Sequence, residues 1–95
     1  MLSRVLGFGR RAFASLREQE ILALAISSEE DDARIYRAYA EGLRQDFPHS
    51  ASMFDAMADE EDEHRAALIR LHRKRFGDYI PLIRREHVKG YYMRK

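Results

Sequence analysis

The sequence predicts an all-α chain, an antiparallel two-helix hairpin that dimerises into a four-helix bundle. Three observations predict it. Two long charge-rich stretches, Leu16 to about Gln45 and Ser50 to about Phe76, carry apolar residues in steps of three and four. A break at Asp46-Phe47-Pro48-His49-Ser50 separates them, and the proline pushes Phe47 out of the helical region. Finally, a chain of 95 residues that forms only two long helices cannot enclose a core alone, so association is the expected remedy.

Each element has its own signals. Met1 to Arg17 carries four arginines and no acid, and residues 1–14 read as a basic N-terminal arm. It lacks the apolar run and cleavage site of a secretory signal, while a transit peptide or a membrane-surface helix remains an open reading. Ser15-Leu-Arg-Glu18 fits a capping box, which starts the hairpin at residue 15. Ser50 is the expected N-cap of the second helix, and Gly77 supplies its stop. Residues 78–95 read as a basic tail, a turn at Pro81 followed by a short helix.

On the first helix the inward stripe is expected to be Leu22, Ile26, Glu29, Ala33, Tyr36, Ala40 and Leu43. On the second it is Phe54, Met57, Glu61, His64, Leu68 and Leu71. Each stripe turns polar only near its middle, at Glu29 and at Glu61 with His64. A carboxylate in an apolar stripe is costly unless it is paired or binds a metal. Glu30, Asp31, Asp62 and Glu63 fall mostly off the stripes and are expected to point to water.

Glu29 lies about 17 residues before the turn and Glu61 about 14 after it. At 1.5 Å per residue both stand roughly 20–25 Å from it, so they face each other across the hairpin. Glu61-Asp62-Glu63-His64 is an E-x-x-H step, whose ends share one helix face. Di-iron carboxylate bundles take one glutamate from each of two helices and one E-x-x-H from each of the other two. This chain holds one of each, which is half a site. Two copies would supply four glutamates and two histidines, so the site and the unpaired hairpin ask for the same dimer or a higher even oligomer. The competing reading is a buried polar cluster that only fixes helix register.

These residues also carry a resemblance. Glu29-Glu30-Asp31-Asp32-Ala33-Arg34-Ile35-Tyr36 followed by Ala40, together with Met57 to His64, resembles the metal helices of the rubrerythrin and ferritin-like superfamily. Leu6-Gly7-Phe8-Gly9-Arg10-Arg11 and Ile80-Pro81-Leu82-Ile83-Arg84-Arg85 make the N-terminal domain of bacterial membrane-bound ferritins the closer likeness. The resemblance implies a ferritin-like bundle that oxidises or delivers Fe(II), with Glu29, Glu61 and His64 as ligands and Tyr36 close by. In that family the domain continues into a second hairpin and a membrane transporter that exports iron. Neither lies within these 95 residues, so a shortened or a naturally short relative is expected. The two-helix encapsulated ferritins, which build their site between two chains, resemble that arrangement.

The first functional reading is therefore an iron oxidoreductase, with two iron ions per dimer and dioxygen or peroxide as oxidant. Iron is favoured over zinc because oxygen-rich sites with many ligands suit it, and manganese is the alternative metal. Tyr36, one heptad beyond Glu29, reads equally as core packing or as support for the site. A second reading is a non-catalytic iron-sensing or delivery module docked on a transporter, and a third is a metal-free dimerisation module. Cysteine is absent, which excludes disulfides, a rubredoxin centre and thiol chemistry. Seventeen basic against sixteen acidic residues do not suggest a nucleic-acid partner. No apolar run approaches the roughly 18 residues of a spanning helix. The expected location is the cytoplasm, at the inner membrane face if the chain belongs to a longer protein.

Overall fold

The computed structural model describes residues 11–89, and within them two long helices dominate. Helix α1 spans Glu18–Leu43 and helix α2 spans Pro48–Phe76. They form the expected antiparallel hairpin, joined by the short turn 44–47. The Phe47 amide donates to the Leu43 carbonyl at 2.7 Å and closes that turn. Residues 1–10 of the expected basic arm and residues 90–95 of the tail lie outside the described residues.

Both helix starts differ from the sequence expectation. Pro48 opens α2 two residues before Ser50, with Phe47 as N-cap. Proline is preorganised for the first helical position, where its missing N–H costs nothing. Helix α1 starts at Glu18 rather than Leu16. Leu16 stays extended and is buried in a cluster with Leu24 and Val88, flanked by Phe13 and Ile83. Burial of that side chain delays the helix. The Ser15 hydroxyl consequently donates to the Ala12 carbonyl at 2.8 Å in a 3-10 turn, Phe13–Ser15. Glu20, not Glu18, accepts the start-of-helix bond, from the Arg17 amide at 3.0 Å. The stop of α2 falls where expected: Gly77 has φ of 92°, a conformation that suits a residue without Cβ.

The seam between the helices is lined by alanines. Ala40, Ala51 and Ala58 are wholly buried and Ala33 nearly so. Small side chains let the two backbones approach closely. An ion-pair ladder flanks the seam. Arg37 pairs with Asp59 at 3.4 Å and with Asp62, and Arg44 pairs with Asp55 at 2.9 Å. The Arg44 hydrogen bond holds the Asp55 carboxyl below its ordinary value of 3.8.

Helix α1 buries a second face, formed by Leu24, Ser27, Ser28 and Asp31. The returning chain covers it. Ser27 donates its hydroxyl to the Ile83 carbonyl at 2.5 Å, Arg84 reaches Asp31 at 2.7 Å, and Arg85 reaches Asp32 at 2.8 Å. The short helix expected in the tail is one 3-10 turn, Arg85–His87. Strand β1, Arg11–Ala12, then pairs in parallel with strand β2, Val88–Lys89. Asp31 is thus buried and paired instead of solvated. Asp62 is half-buried on Arg37, whereas Glu63 is exposed as expected.

The inward stripe of α2 is rotated from the expected one. Ala51, Ala58 and His72 are its buried positions. Met57, His64 and Leu71, expected inside, are exposed. Small and polar residues meet α1, so hydrophobicity alone did not mark that face. His72 donates or accepts through Nδ1 with the Gly77 carbonyl at 3.2 Å, and its ring lies 5.5 Å from that of Phe76.

Candidate metal centre

Glu29 sits near the middle of α1 and Glu61 near the middle of α2, and the hairpin brings them level. Their side chains are 25% and 19% exposed, while that of His64 is 62% exposed. His64 Nδ1 lies 3.4 Å from Glu61 Oε1 and 3.9 Å from Glu29 Oε1. One ligand atom from each of the three residues falls within 4.8 Å of the others, the single such group among the described residues. The i, i+3 spacing of Glu61 and His64 puts both on one helix face, and the antiparallel turn supplies Glu29.

Charge pairing sets these carboxylates apart. Most of the surrounding acids have guanidinium partners, Glu30 with Arg34 and Arg65, Asp31 with Arg84, Asp32 with Arg85, Asp55 with Arg44, and Asp59 and Asp62 with Arg37, while Glu60 and Glu63 are exposed to solvent. Among the described residues Glu29 and Glu61 pair with the imidazole alone. Two half-buried carboxylates left without a fixed cation are an uncomfortable arrangement that a metal ion relieves. The donor set is two carboxylates and one imidazole without sulfur. It fits iron or manganese better than a tetrahedral thiolate-rich zinc site.

Tyr36 is half-buried and its ring stacks on Phe54, with centroids 6.0 Å apart. Tyr39 meets the same Phe54 ring edge-on at 5.2 Å. The packing role expected for Tyr36 has a contact behind it, two turns away from Glu29. His49 and His87 are exposed and lie outside the cluster. The part-buried Asp31–Arg84 pair, which anchors the tail to α1, escaped sequence reading because its partners are 53 residues apart.

A two-helix hairpin with a mid-helix Glu facing a Glu-x-x-His step defines a ferritin-like carboxylate–histidine protein. The family model for rubrerythrin matches residues 20–95, and the chain belongs to that family. Its domains generally bind iron. No curated protein and no solved structure matches the chain. No helix among the described residues is long and apolar enough to cross a membrane.

Proposed function

We propose that two copies of this chain complete a di-iron centre that oxidises Fe(II), each copy giving Glu29, Glu61 and His64. The observation that carries this reading is the convergence of those three side chains, with no arginine or lysine among the described residues paired to the two carboxylates. Glu29 and Glu61 would hold and neutralise the cations, and His64 would add a nitrogen donor from the exposed side. Bound iron supplies the one-electron chemistry that passes electrons to dioxygen or peroxide. Manganese fits the same donors. For His64 Nδ1 to donate its lone pair, the ring proton must sit on Nε2.

The hairpin supports the second copy in two ways. One chain offers three ligands, half of the set such bundles use. The face that carries them is otherwise apolar and open: Tyr39, Met53, Met57 and Leu71 are exposed there. The kinship with the N-terminal domain of membrane-bound ferritins, and with it a place at the inner membrane face beside an iron transporter, extends the same reading. It draws on Ile80 to Arg85, the segment that here locks onto α1.

Anaerobic Fe(II) titration of metal-free protein, ultracentrifugation and then admission of air test the proposal. Saturation near one iron per chain, dimerisation and a ferric absorbance lost in Glu61→Ala are expected. Binding without oxidation in air would point instead to a sensing or delivery module. Equal dimerisation without any iron binding would leave a plain helical interaction module.

A further inference from the structure

The buried positions of α2, Ala51, Ala58 and His72, fall on a seven-residue period. Position 65 belongs to the same series, and it holds an arginine. The side chain of Arg65 is 34% exposed, yet its Nε is buried and has no hydrogen-bond partner. Alanine fills the equivalent place one and two heptads earlier. A guanidinium lodged there costs stability, because a buried donor without an acceptor loses its hydration and gains nothing for it.

The two ends of the guanidinium show what it does. One terminal nitrogen lies 3.9 Å from Glu30 Oε2 on α1, and the other lies 3.6 Å from Asp62 Oδ1 on α2. Glu30 directly follows Glu29, and Asp62 directly follows Glu61. Arg65 itself stands one helical turn beyond Glu61. The fork therefore ties together the two backbone segments from which the facing carboxylates project.

Neither Glu30 nor Asp62 depends on Arg65 for charge balance. Glu30 also has Arg34 at 3.6 Å, and Asp62 also has Arg37. The contact is redundant as an ion pair but not as a link across the seam at this level. A planar group with two arms can serve both helices at once, whereas a lysine ammonium is a single point of charge.

Resting on the di-iron reading above, we propose that Arg65 is a positioning residue for the metal centre, bracing Glu30 and Asp62 so that Glu29 and Glu61 keep a fixed separation across the hairpin. It is not a ligand, since a guanidinium stays protonated and offers no lone pair. It acts through preorganisation. Slack between carboxylates on two helices is ordering that binding itself would have to supply.

Arg65→Lys and Arg65→Met test the proposal, with metal-free Tm and anaerobic Fe(II) affinity measured on each at one protein concentration. Lysine keeps the charge and loses the fork, whereas methionine loses both. Fe(II) affinity is expected to fall about tenfold in each variant, the low end of the range for residues that orient metal ligands. The metal-free Tm of Arg65→Met is expected to hold or rise. The change removes a buried donor that lacks an acceptor, while Glu30 and Asp62 keep their other arginines. Parental affinity in Arg65→Lys overturns the proposal, since charge alone would then suffice. A higher affinity in Arg65→Met overturns it as well, because the guanidinium would then act only by repelling the cation. A lower metal-free Tm at unchanged affinity makes Arg65 a scaffold residue. If Arg65→Met does not fold, the affinity of Arg65→Lys decides alone. A parent protein that binds no Fe(II) overturns the metal reading itself, and the role of Arg65 falls with it.

Discussion

Arg84 donates to the Asp31 carboxylate at 2.7 Å, and this contact ties the returning chain to the helix that carries Glu29. Asp31 is 8% exposed and sits two residues beyond Glu29, on the opposite side of α1 from the seam. Arg34 reaches the same oxygen at 3.2 Å. Asp31→Ala leaves the half-buried Arg84 with Glu86 alone and the exposed Arg34 with Glu30 alone. The expected loss is about 1 kcal/mol, the net worth of an ordinary hydrogen bond, because each arginine gives up one acceptor and keeps another. Thermal unfolding at fixed protein concentration checks it, with Tm falling about 4–8 °C per kcal/mol. An unchanged Tm would mean that this ion pair contributes nothing to the fold.

Gly77 closes α2 with φ of 92°, and its N–H donates to the Arg73 carbonyl at 3.1 Å. A Cβ there would meet nothing within 4 Å, so crowding is not the obstacle. The cost of Gly77→Ala is purely backbone strain, about 1–3 kcal/mol. Denaturant unfolding should show a lower midpoint at an unchanged slope, since the buried surface is the same. A stability equal to the parent protein would show that the chain leaves α2 another way at no cost.

The hairpin and the Glu29–Glu61–His64 cluster were legible because their signals are local. Pro48 and Gly77 punctuate the chain, and Glu61 and His64 share a face by spacing alone. The rotation of α2 was not legible, because its contact face is built from Ala51, Ala58 and His72 rather than from large apolar groups. Met57 looked like core but stays exposed at 37%. The late start of α1 was hidden for a different reason. Leu16 is held by Val88, 72 positions away, and no local pattern reports such a contact. Asp31 was misplaced likewise, since its arginine arrives from the far end of the chain.

Acid should loosen the hairpin through the ion pairs of its rim. The Arg44 hydrogen bond lowers the Asp55 carboxyl from 3.8, and the Arg84 hydrogen bond lowers Glu86 from 4.5. A carboxyl depressed in the folded state stabilises fully above its unfolded value. That contribution is lost as pH falls through the folded value. Tm should therefore decline below about pH 5. In Arg44→Met the Asp55 share is absent at every pH, so the two Tm curves should differ at neutrality and converge in acid. Parallel curves throughout would show that the pair does not matter.

Glu29 and Glu61 face each other with only His64 between them, so removing one charge should help the metal-free protein and harm the loaded one. Glu61→Gln keeps the shape and the hydrogen bond to His64 while deleting a negative charge. The metal-free Tm is expected to hold or rise, as repulsion between half-buried carboxylates is relieved. Iron should raise the parent's stability by about 2.7 kcal/mol at one hundred times its dissociation constant. The glutamine variant should lose most of that gain, because an amide is a poor ligand for a hard cation. Measured together, the two Tm values separate a binding role from a structural one. If Glu61→Gln instead destabilises the metal-free protein and keeps the full metal-dependent rise, Glu61 belongs to the scaffold and the metal is held elsewhere.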